Sequence, residues 1–140
     1  MTPAAYLRLR RVAAGLSIGD VATVLAPRIA NRRTAFALVR LWEADGVIAE
    51  PTDVIRLRAA FRFDVAVYRQ LCEGPEDRHP RICTGCACSE RDPCLSELAG
   101  TCGWASDTLC TRCEARSLRD AADWMDAAMG RTFMPEGLAA

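Results

Sequence analysis

The spacing of the cysteines constrains the fold of this chain more than any other feature. Seven of the eight cysteines fall within 31 of the 140 residues, and only Cys72 lies outside that stretch. Their order is Cys83-x2-Cys86-x-Cys88-x5-Cys94-x7-Cys102-x7-Cys110-x2-Cys113. In a chain with no recognisable signal peptide, such a cluster indicates a metal site before it indicates disulfides.

The two Cys-x2-Cys pairs predict one structural zinc site. Each pair can place two thiolates on one tetrahedral ion, in a knuckle or in the first turn of a helix. The second pair opens a helix predicted over roughly 113–129, on which Leu118, Ala122, Met125 and Met129 share one face and which Gly130 can cap. A helix N-terminus stabilises thiolates. We therefore expect a small treble-clef-like zinc module with a short β-hairpin and a C-terminal helix. The predicted ligands, which leave no open position on the ion, are Cys83, Cys86, Cys110 and Cys113.

The remaining clustered thiols, Cys88, Cys94 and Cys102, have three interpretations. They bind a second zinc ion, with His79, Cys72 or a shared thiolate completing four ligands. Alternatively they are buried or reactive thiols, two of which could form a disulfide. In the third interpretation they hold part of an iron–sulfur cluster, whose all-thiolate ligation also suits irregular spacing.

Charge divides the chain into two halves. Residues 1–72 carry 11 arginines and 6 acidic residues, and residues 73–140 carry 7 arginines and 12 acidic residues. The net charges of +5 and −5 indicate two modules, of which only the first favours an anionic partner. Apolar residues form 51% of the chain, which suffices for a core, and no apolar run is long enough to span a bilayer. We expect a cytoplasmic protein without membrane association.

Apolar periodicity and capping residues predict a mainly α fold. Five helices are expected at 2–14, at 18–25, from 32 or 33 to 44, from 51 onward and from 64 onward. Pro27 and its polar neighbours predict a loop over 26–32. The predicted organisation is a five-helix domain (1–72), a polar linker (73–81), a cysteine-rich module ending in a helix (82–130) and a tail (131–140).

Two short sequence motifs in residues 1–72 resemble those of a known protein family. Ala14-Gly15-Leu16-Ser17 opens the second predicted helix, and Trp42-Glu43 closes the third. With them, residues 1–72 resemble the lambda-repressor-like (Cro-type) helix-turn-helix family, although the predicted turn of about seven residues exceeds the family's four or so. The resemblance implies double-stranded DNA as the partner. Arg40 suits a base contact, and the residues suited to phosphate are Arg28, Asn31, Arg32, Arg33 and Thr34.

The cysteine-rich half carries a second resemblance. The motifs concerned are Cys83-x2-Cys86-Ala87-Cys88, then Cys102-Gly103-Trp104, then a Cys-x2-Cys pair at 110–113. These are similar to a module of uncharacterised phage and prophage proteins from high-GC bacteria, although Ala87 stands where that pattern often has glycine. The resemblance implies phage or mobile-element biology and no particular activity.

Three functional hypotheses follow from these features. The first is a DNA-binding regulatory protein of phage or prophage origin. Such a protein would have to be a homodimer if its operators are two-fold symmetric. The second is an adaptor that binds a protein through an apolar face at 35–38 and through the acidic zinc module. The third is a redox-responsive or metal-responsive switch built on Cys88, Cys94 and Cys102. No enzyme is expected, because the chain has one histidine and no phosphate-binding glycine loop or catalytic constellation.

Overall fold

The computed structural model describes residues 1–96 and 100–129, and the expected mainly helical architecture is confirmed. The helices are α1 (Pro3–Ala13), α2 (Ile18–Leu25), α3 (Ile29–Trp42), α4 (Pro51–Val54), α5 (Val65–Glu73) and α6 (Thr111–Ala128). Short 3₁₀ turns cover Ile55–Ala59 and Glu76–Arg78. Two short antiparallel strands, β1 (Leu95–Ser96) and β2 (Gly100–Thr101), pair Leu95 with Thr101.

Polar side chains cap the N-termini of three of these helices. The Thr2 hydroxyl accepts a hydrogen bond from the Ala5 N–H at the start of α1, and the Asp64 carboxylate accepts from residues in the first turn of α5. At α2, Ser17 and Asp20 form a reciprocal capping box. Hydrogen bonds from Ser17 hold the pKa of Asp20 below its ordinary value of 3.8. The sequence therefore specifies these helix starts locally.

The start of α3 corrects the sequence prediction. The helix begins at Ile29 rather than at Arg32 or Arg33, so the turn after α2 contains only residues 26–28 and the predicted loop over 26–32 is wrong. Pro27 does end α2, but it stands before the extended N-cap Arg28, where a proline is tolerated. The first turn of α3, residues 29–32, contains no buried residue and has no side-chain cap, so no apolar stripe or capping residue marked it as helical.

Two further boundaries differ from the prediction. The fourth helix is a single α-turn, Pro51–Val54, followed by the 3₁₀ segment to Ala59. The last helix begins at Thr111 rather than at residue 113. The expected Gly130 cap and the tail 131–140 lie outside the described residues.

One hydrophobic core joins α1 to α5. The Tyr68 hydroxyl donates to the Ala49 carbonyl at 2.9 Å, and the Asp64 N–H donates to the Tyr6 hydroxyl at 3.0 Å, so the phenols that enter the core keep hydrogen-bond partners. The fully buried or nearly buried side chains are Tyr6, Leu7, Val21, Val39, Trp42, Val54, Leu57, Phe61, Phe63, Val67, Tyr68 and Leu71.

The cysteine-rich segment packs directly against this helical unit. Ala87 is 1% exposed and belongs to the helical core, and Ile82 packs against the same core. Buried Asp92 forms ion pairs with Arg10 of α1 and with Arg62, whose Nη2 lies 2.9 Å from Asp92 Oδ1. The two predicted modules are therefore in contact through both apolar and charged groups.

Most of α6 extends away from these contacts. Cys113 is its buried residue, whereas Leu118 is 67% exposed and Trp124 is 72% exposed. Met125 and Met129, which share the predicted apolar stripe with Leu118, are also exposed. The helix thus contributes to the cysteine cluster mainly through its first turn.

Candidate metal centre

A tight turn brings the first cysteines together. The Cys83 N–H donates to the Cys88 carbonyl at 2.9 Å, and the Ala87 N–H donates to the Cys83 carbonyl at 2.8 Å. Gly85 lets α6 approach this turn closely, since a Cβ there would lie 3.0 Å from Cys113 Sγ, which is tighter than an ordinary van der Waals contact. The turn is therefore a knuckle that presents thiols on one side.

The strand pair brings two more thiols to the same place. Cys94 precedes β1 and Cys102 follows β2, and the Cys102 N–H donates to the Cys94 carbonyl at 3.0 Å. In return, the Cys94 N–H donates to Cys102 Sγ at 3.1 Å. Backbone pairing across the hairpin thus fixes the two side chains as neighbours.

The N-terminus of α6 supplies the last two thiols. Cys110 is the N-cap residue, and Cys113 lies in the first turn with its side chain buried. The Cys110 N–H donates to Cys83 Sγ at 3.3 Å, which connects the helix to the knuckle. The positive end of the 18-residue helix dipole favours thiolates at both positions.

The sulfur atoms are spaced as the ligands of a tetrahedral metal ion are. With metal–sulfur bonds of about 2.3 Å, two ligands of one zinc ion lie about 3.8 Å apart. The distance from Cys86 Sγ to Cys110 Sγ is 3.8 Å, and the distance from Cys88 Sγ to Cys102 Sγ is 3.7 Å. This cluster could hold a metal ion.

Two sets of four thiols satisfy the distance requirement together. Within each set, all Sγ atoms lie within 4.8 Å of one another. The first set is Cys83, Cys86, Cys88 and Cys110; the second is Cys88, Cys94, Cys102 and Cys110. The two groups of cysteines distinguished in the sequence therefore form one continuous cluster, in which Cys113 packs against the first set.

The protein surroundings oppose ionisation of most of these thiols. Burial raises the pKa of Cys83 and Cys113, and it raises the pKa of Cys94 to about 12. A hydrogen bond with Cys88 lowers the pKa of Cys86 to about 4 and raises the pKa of Cys88. A cation among these sulfurs would favour the thiolates over the thiols.

The other candidate ligands lie apart from the cluster. Cys72 packs against the helical core, where the Tyr68 side chain is its hydrogen-bond neighbour. His79 Nε2 lies 2.9 Å from the Gly74 carbonyl oxygen in the linker. Trp104 packs against the cysteine cluster, and the Arg81 guanidinium stacks over its ring at 4.2 Å.

The cluster also borders a groove that the sequence did not reveal. The groove has a volume of about 380 Å³ and lies between the helical unit and the cysteine cluster, with Cys86, Cys94 and Cys113 on its wall. Five arginines from distant segments line it, and no local pattern connects them: Arg10, Arg58, Arg62, Arg112 and Arg116.

The residues predicted to contact DNA occupy different sides of α3 and its N-cap. Arg33 and Arg40 are exposed on the outward side. Half-buried Arg32 turns back, with Nη2 3.4 Å from the Pro27 carbonyl oxygen. A separate cavity of about 500 Å³ beside the α2–α3 turn is lined by Arg28, Asn31, Thr34 and Arg56, among others.

The exposed apolar face of α3 contains fewer residues than the sequence predicted. Ala35 is 8% exposed and Leu38 is half-buried, so the apolar face expected at 35–38 is not wholly outward. Phe36 is 42% exposed and borders the arginines. Between Ile29 and Trp42 the helix contains three arginines and no acidic residue.

Comparison with known proteins gives no relative for this chain. No protein-family model, curated protein or solved structure matches it. Within residues 1–96 and 100–129, no helix is long and apolar enough to cross a membrane. Functional inference therefore depends on the geometry of α3 and of the cysteine cluster.

Proposed function

We propose that this chain is a DNA-binding regulatory protein in which α3 enters the major groove and the cysteine cluster is a structural zinc centre. The observation that carries the proposal is the outward side of α3. Arg33 and Arg40 are seven residues apart, so they share one helix face, and the helix has no acidic residue to repel phosphate.

The connection between α2 and α3 supports this role. Three residues, 26–28, join the two helices, and α2 packs against α3. A helix-turn-helix protein uses such a pair to hold its second helix in the major groove, with the N-terminal residues of that helix contacting base edges. Because α3 begins at Ile29, Arg33 lies nearer the N-terminus of the helix than Arg40, the base-contacting residue that the sequence favoured. In this proposal Arg33 therefore donates to a guanine, while Arg28 and Asn31 contact phosphates.

Duplex binding measured by fluorescence anisotropy tests the proposal. The probe is DNA from upstream of the chain's own gene, compared with a scrambled duplex over a series of salt concentrations. We expect Arg33→Ala to reduce the preference for the native duplex by roughly 10-fold to 100-fold. The double variant Arg33→Ala/Arg40→Ala should bind both duplexes more weakly. The slope of the logarithm of the binding constant against the logarithm of the salt concentration should fall in magnitude by up to about two.

The matched control is Arg69→Ala, because Arg69 is exposed on α5, away from α3. This variant should bind the native duplex as the unaltered chain does. If the Arg33/Arg40 double variant binds with unchanged affinity and salt dependence, α3 is not the DNA-contacting helix.

The zinc centre has a structural role in this proposal. The two Cys-x2-Cys pairs bind the same zinc ion. An all-thiolate tetrahedral site has no open position for a reacting water molecule. We therefore assign this site to folding and the chain to binding rather than catalysis. The purified chain should be colourless and contain zinc, whereas a coloured protein with iron and labile sulfide would contradict this assignment.

A protein-interaction adaptor is the second candidate, and one observation favours it. Ile29, Phe36 and Leu41 are 79%, 42% and 52% exposed around the arginines of α3. Apolar side chains grouped on a surface often mark a protein interface. Absence of duplex binding even at low salt would favour the adaptor. Phe36→Ser would then be the variant expected to weaken capture of its partner.

The phage or prophage origin remains part of the proposal. Its support is the similarity of the cysteine-rich segment to modules of such proteins, and it would be tested by the genes that neighbour this one.

A further inference from the structure

The clustered cysteines outnumber the ligands that one tetrahedral ion can use. Two zinc ions need eight ligand positions, and seven thiolates fill eight positions when one sulfur binds both ions. We propose that the cluster is a binuclear zinc centre in which the thiolate of Cys110 bridges the two ions. This inference rests on the proposed zinc centre and adds its stoichiometry and its connectivity.

The first ion is held by the two Cys-x2-Cys pairs. Cys83 and Cys86 come from the knuckle, and Cys110 and Cys113 come from the first turn of α6. Cys86 Sγ lies 3.8 Å from Cys110 Sγ, and Cys113 Sγ faces the knuckle. The sulfur set described at this place holds Cys88 in the position of Cys113. We assign Cys113 to the first ion because a Cys-x2-Cys pair at a helix N-terminus chelates one ion, which leaves Cys88 for the second.

The second ion is held by the hairpin thiols together with the helix. The Sγ atoms of Cys88, Cys94, Cys102 and Cys110 all lie within 4.8 Å of one another. Cys88 Sγ is 3.7 Å from Cys102 Sγ, the separation expected for two ligands of one zinc ion. The Cys94 N–H bond to Cys102 Sγ orients that thiol.

Two sulfurs, those of Cys88 and Cys110, belong to both described sets, and the bridge is assigned to Cys110 because of its neighbour Cys113. A Cys-x2-Cys pair at a helix N-terminus chelates a single ion, so Cys110 shares an ion with Cys113. Cys110 also completes the only described set that contains Cys94 and Cys102. Without a shared sulfur the second ion would have three thiolates, and neither His79 nor Cys72 is placed to provide a fourth.

The surrounding charge suits such a centre. Two dipositive ions with seven thiolates carry a net charge of about −3, against about −2 for one ion with four thiolates. The arginines lining the adjacent groove can offset that charge: Arg10, Arg58, Arg62, Arg112 and Arg116. Of these, Arg10 and Arg62 already share the carboxylate of Asp92, whereas Arg58, Arg112 and Arg116 are exposed.

Metal analysis of the full chain tests the stoichiometry. We expect two zinc ions per chain by native mass spectrometry and by elemental analysis. After exchange with cadmium-113, NMR should give two resonances split by coupling through the bridging sulfur. Two uncoupled resonances, or one zinc ion per chain, would overturn the inference while leaving the proposed zinc centre intact; a chain without zinc would overturn both.

Serine variants test the connectivity. Cys102→Ser should retain one tightly bound ion at the first site, and Cys113→Ser should retain one at the second. The matched control is Cys72→Ser, which removes a thiol outside the cluster and should keep both ions. Two tightly bound ions and unshifted cadmium resonances in Cys113→Ser would overturn the assignment, because Cys113 would then not be a ligand.

Discussion

Ala87 combines two properties that seldom occur together in one alanine. Its φ is +57°, in the left-handed region that glycine adopts without strain, yet its methyl group is buried in the helical core. The position lies inside the knuckle, between two clustered cysteines. The positive φ of this residue therefore favours glycine, whereas burial of its methyl group favours alanine.

Ala87→Gly should change the free energy of unfolding by less than about 1 kcal/mol. Relief of left-handed strain is worth about 1–2 kcal/mol, while losing a buried methyl costs about 0.8 kcal/mol and glycine adds entropy to the unfolded chain. Ala87→Val should cost more, since a β-branched residue at positive φ is an outlier. Denaturant unfolding of both zinc-loaded variants measures the contrast. If the glycine variant is the less stable of the two, the strain argument is wrong.

At the scale of helices, a buried ion pair holds the end of α3 against α1. Arg11 donates to Glu43 through Nε at 2.8 Å and through Nη2 at 2.7 Å, and its Nη1 donates to the Leu16 carbonyl at 2.7 Å. Glu43 is 5% exposed. The Trp42-Glu43 phrase is thus structural here, because Trp42 fills the core and Glu43 orients the arginine.

Glu43→Ala should lower the free energy of unfolding by about 3–5 kcal/mol, since it leaves the Arg11 guanidinium buried without its counter-ion. Asp45→Ala is the matched control. Asp45 forms an exposed pair with Arg8 of α1 at 3.7 Å, and such pairs contribute about 0–1 kcal/mol. Thermal and urea unfolding of the two variants provide the comparison. Equal losses of stability would mean that the α1–α3 contact does not depend on the buried pair.

At the scale of the whole molecule, a second buried charge cluster joins the cysteine segment to the helical unit. Asp92 lies between β1 and the knuckle and is 5% exposed, and it pairs with Arg10 and Arg62. Arg10 Nε also donates to the Arg62 carbonyl at 3.0 Å. Because Ala87 also enters the helical core, we expect folding of the cysteine segment to be coupled to the packing of α1.

Asp92→Ala should destabilise the zinc-loaded chain by about 3–5 kcal/mol, because Arg10 would remain buried without a carboxylate. Asp107→Ala provides the comparison, as its pair with Arg81 is exposed and 3.7 Å long; it should cost at most about 1 kcal/mol. Unfolding should be followed by circular dichroism for the helices. An effect of Asp92→Ala no larger than that of Asp107→Ala would show that the ion pairs do not couple the two parts.

The sequence was informative wherever the cause of a structure lies within a few residues. The capping box at Ser17 and Asp20 marks the start of α2, because both partners lie in the same turn. The Cys-x2-Cys pairs predicted that thiols would meet in a knuckle and at a helix N-terminus, because each pair is one turn of backbone. The start of α3 was missed, since its first turn has neither a buried apolar residue nor a capping side chain that a local pattern could reveal.

Contacts between distant segments could not be predicted in the same way. The distances of Cys88, Cys94 and Cys102 from Cys110 depend on how the hairpin folds back over the N-terminus of α6. The pairing of Asp92 with Arg10 spans 82 residues, and no local pattern specifies it. Local spacing determined which residues could bind metal. Packing of the chain against itself joined the thiols into one cluster and attached that cluster to the helical core.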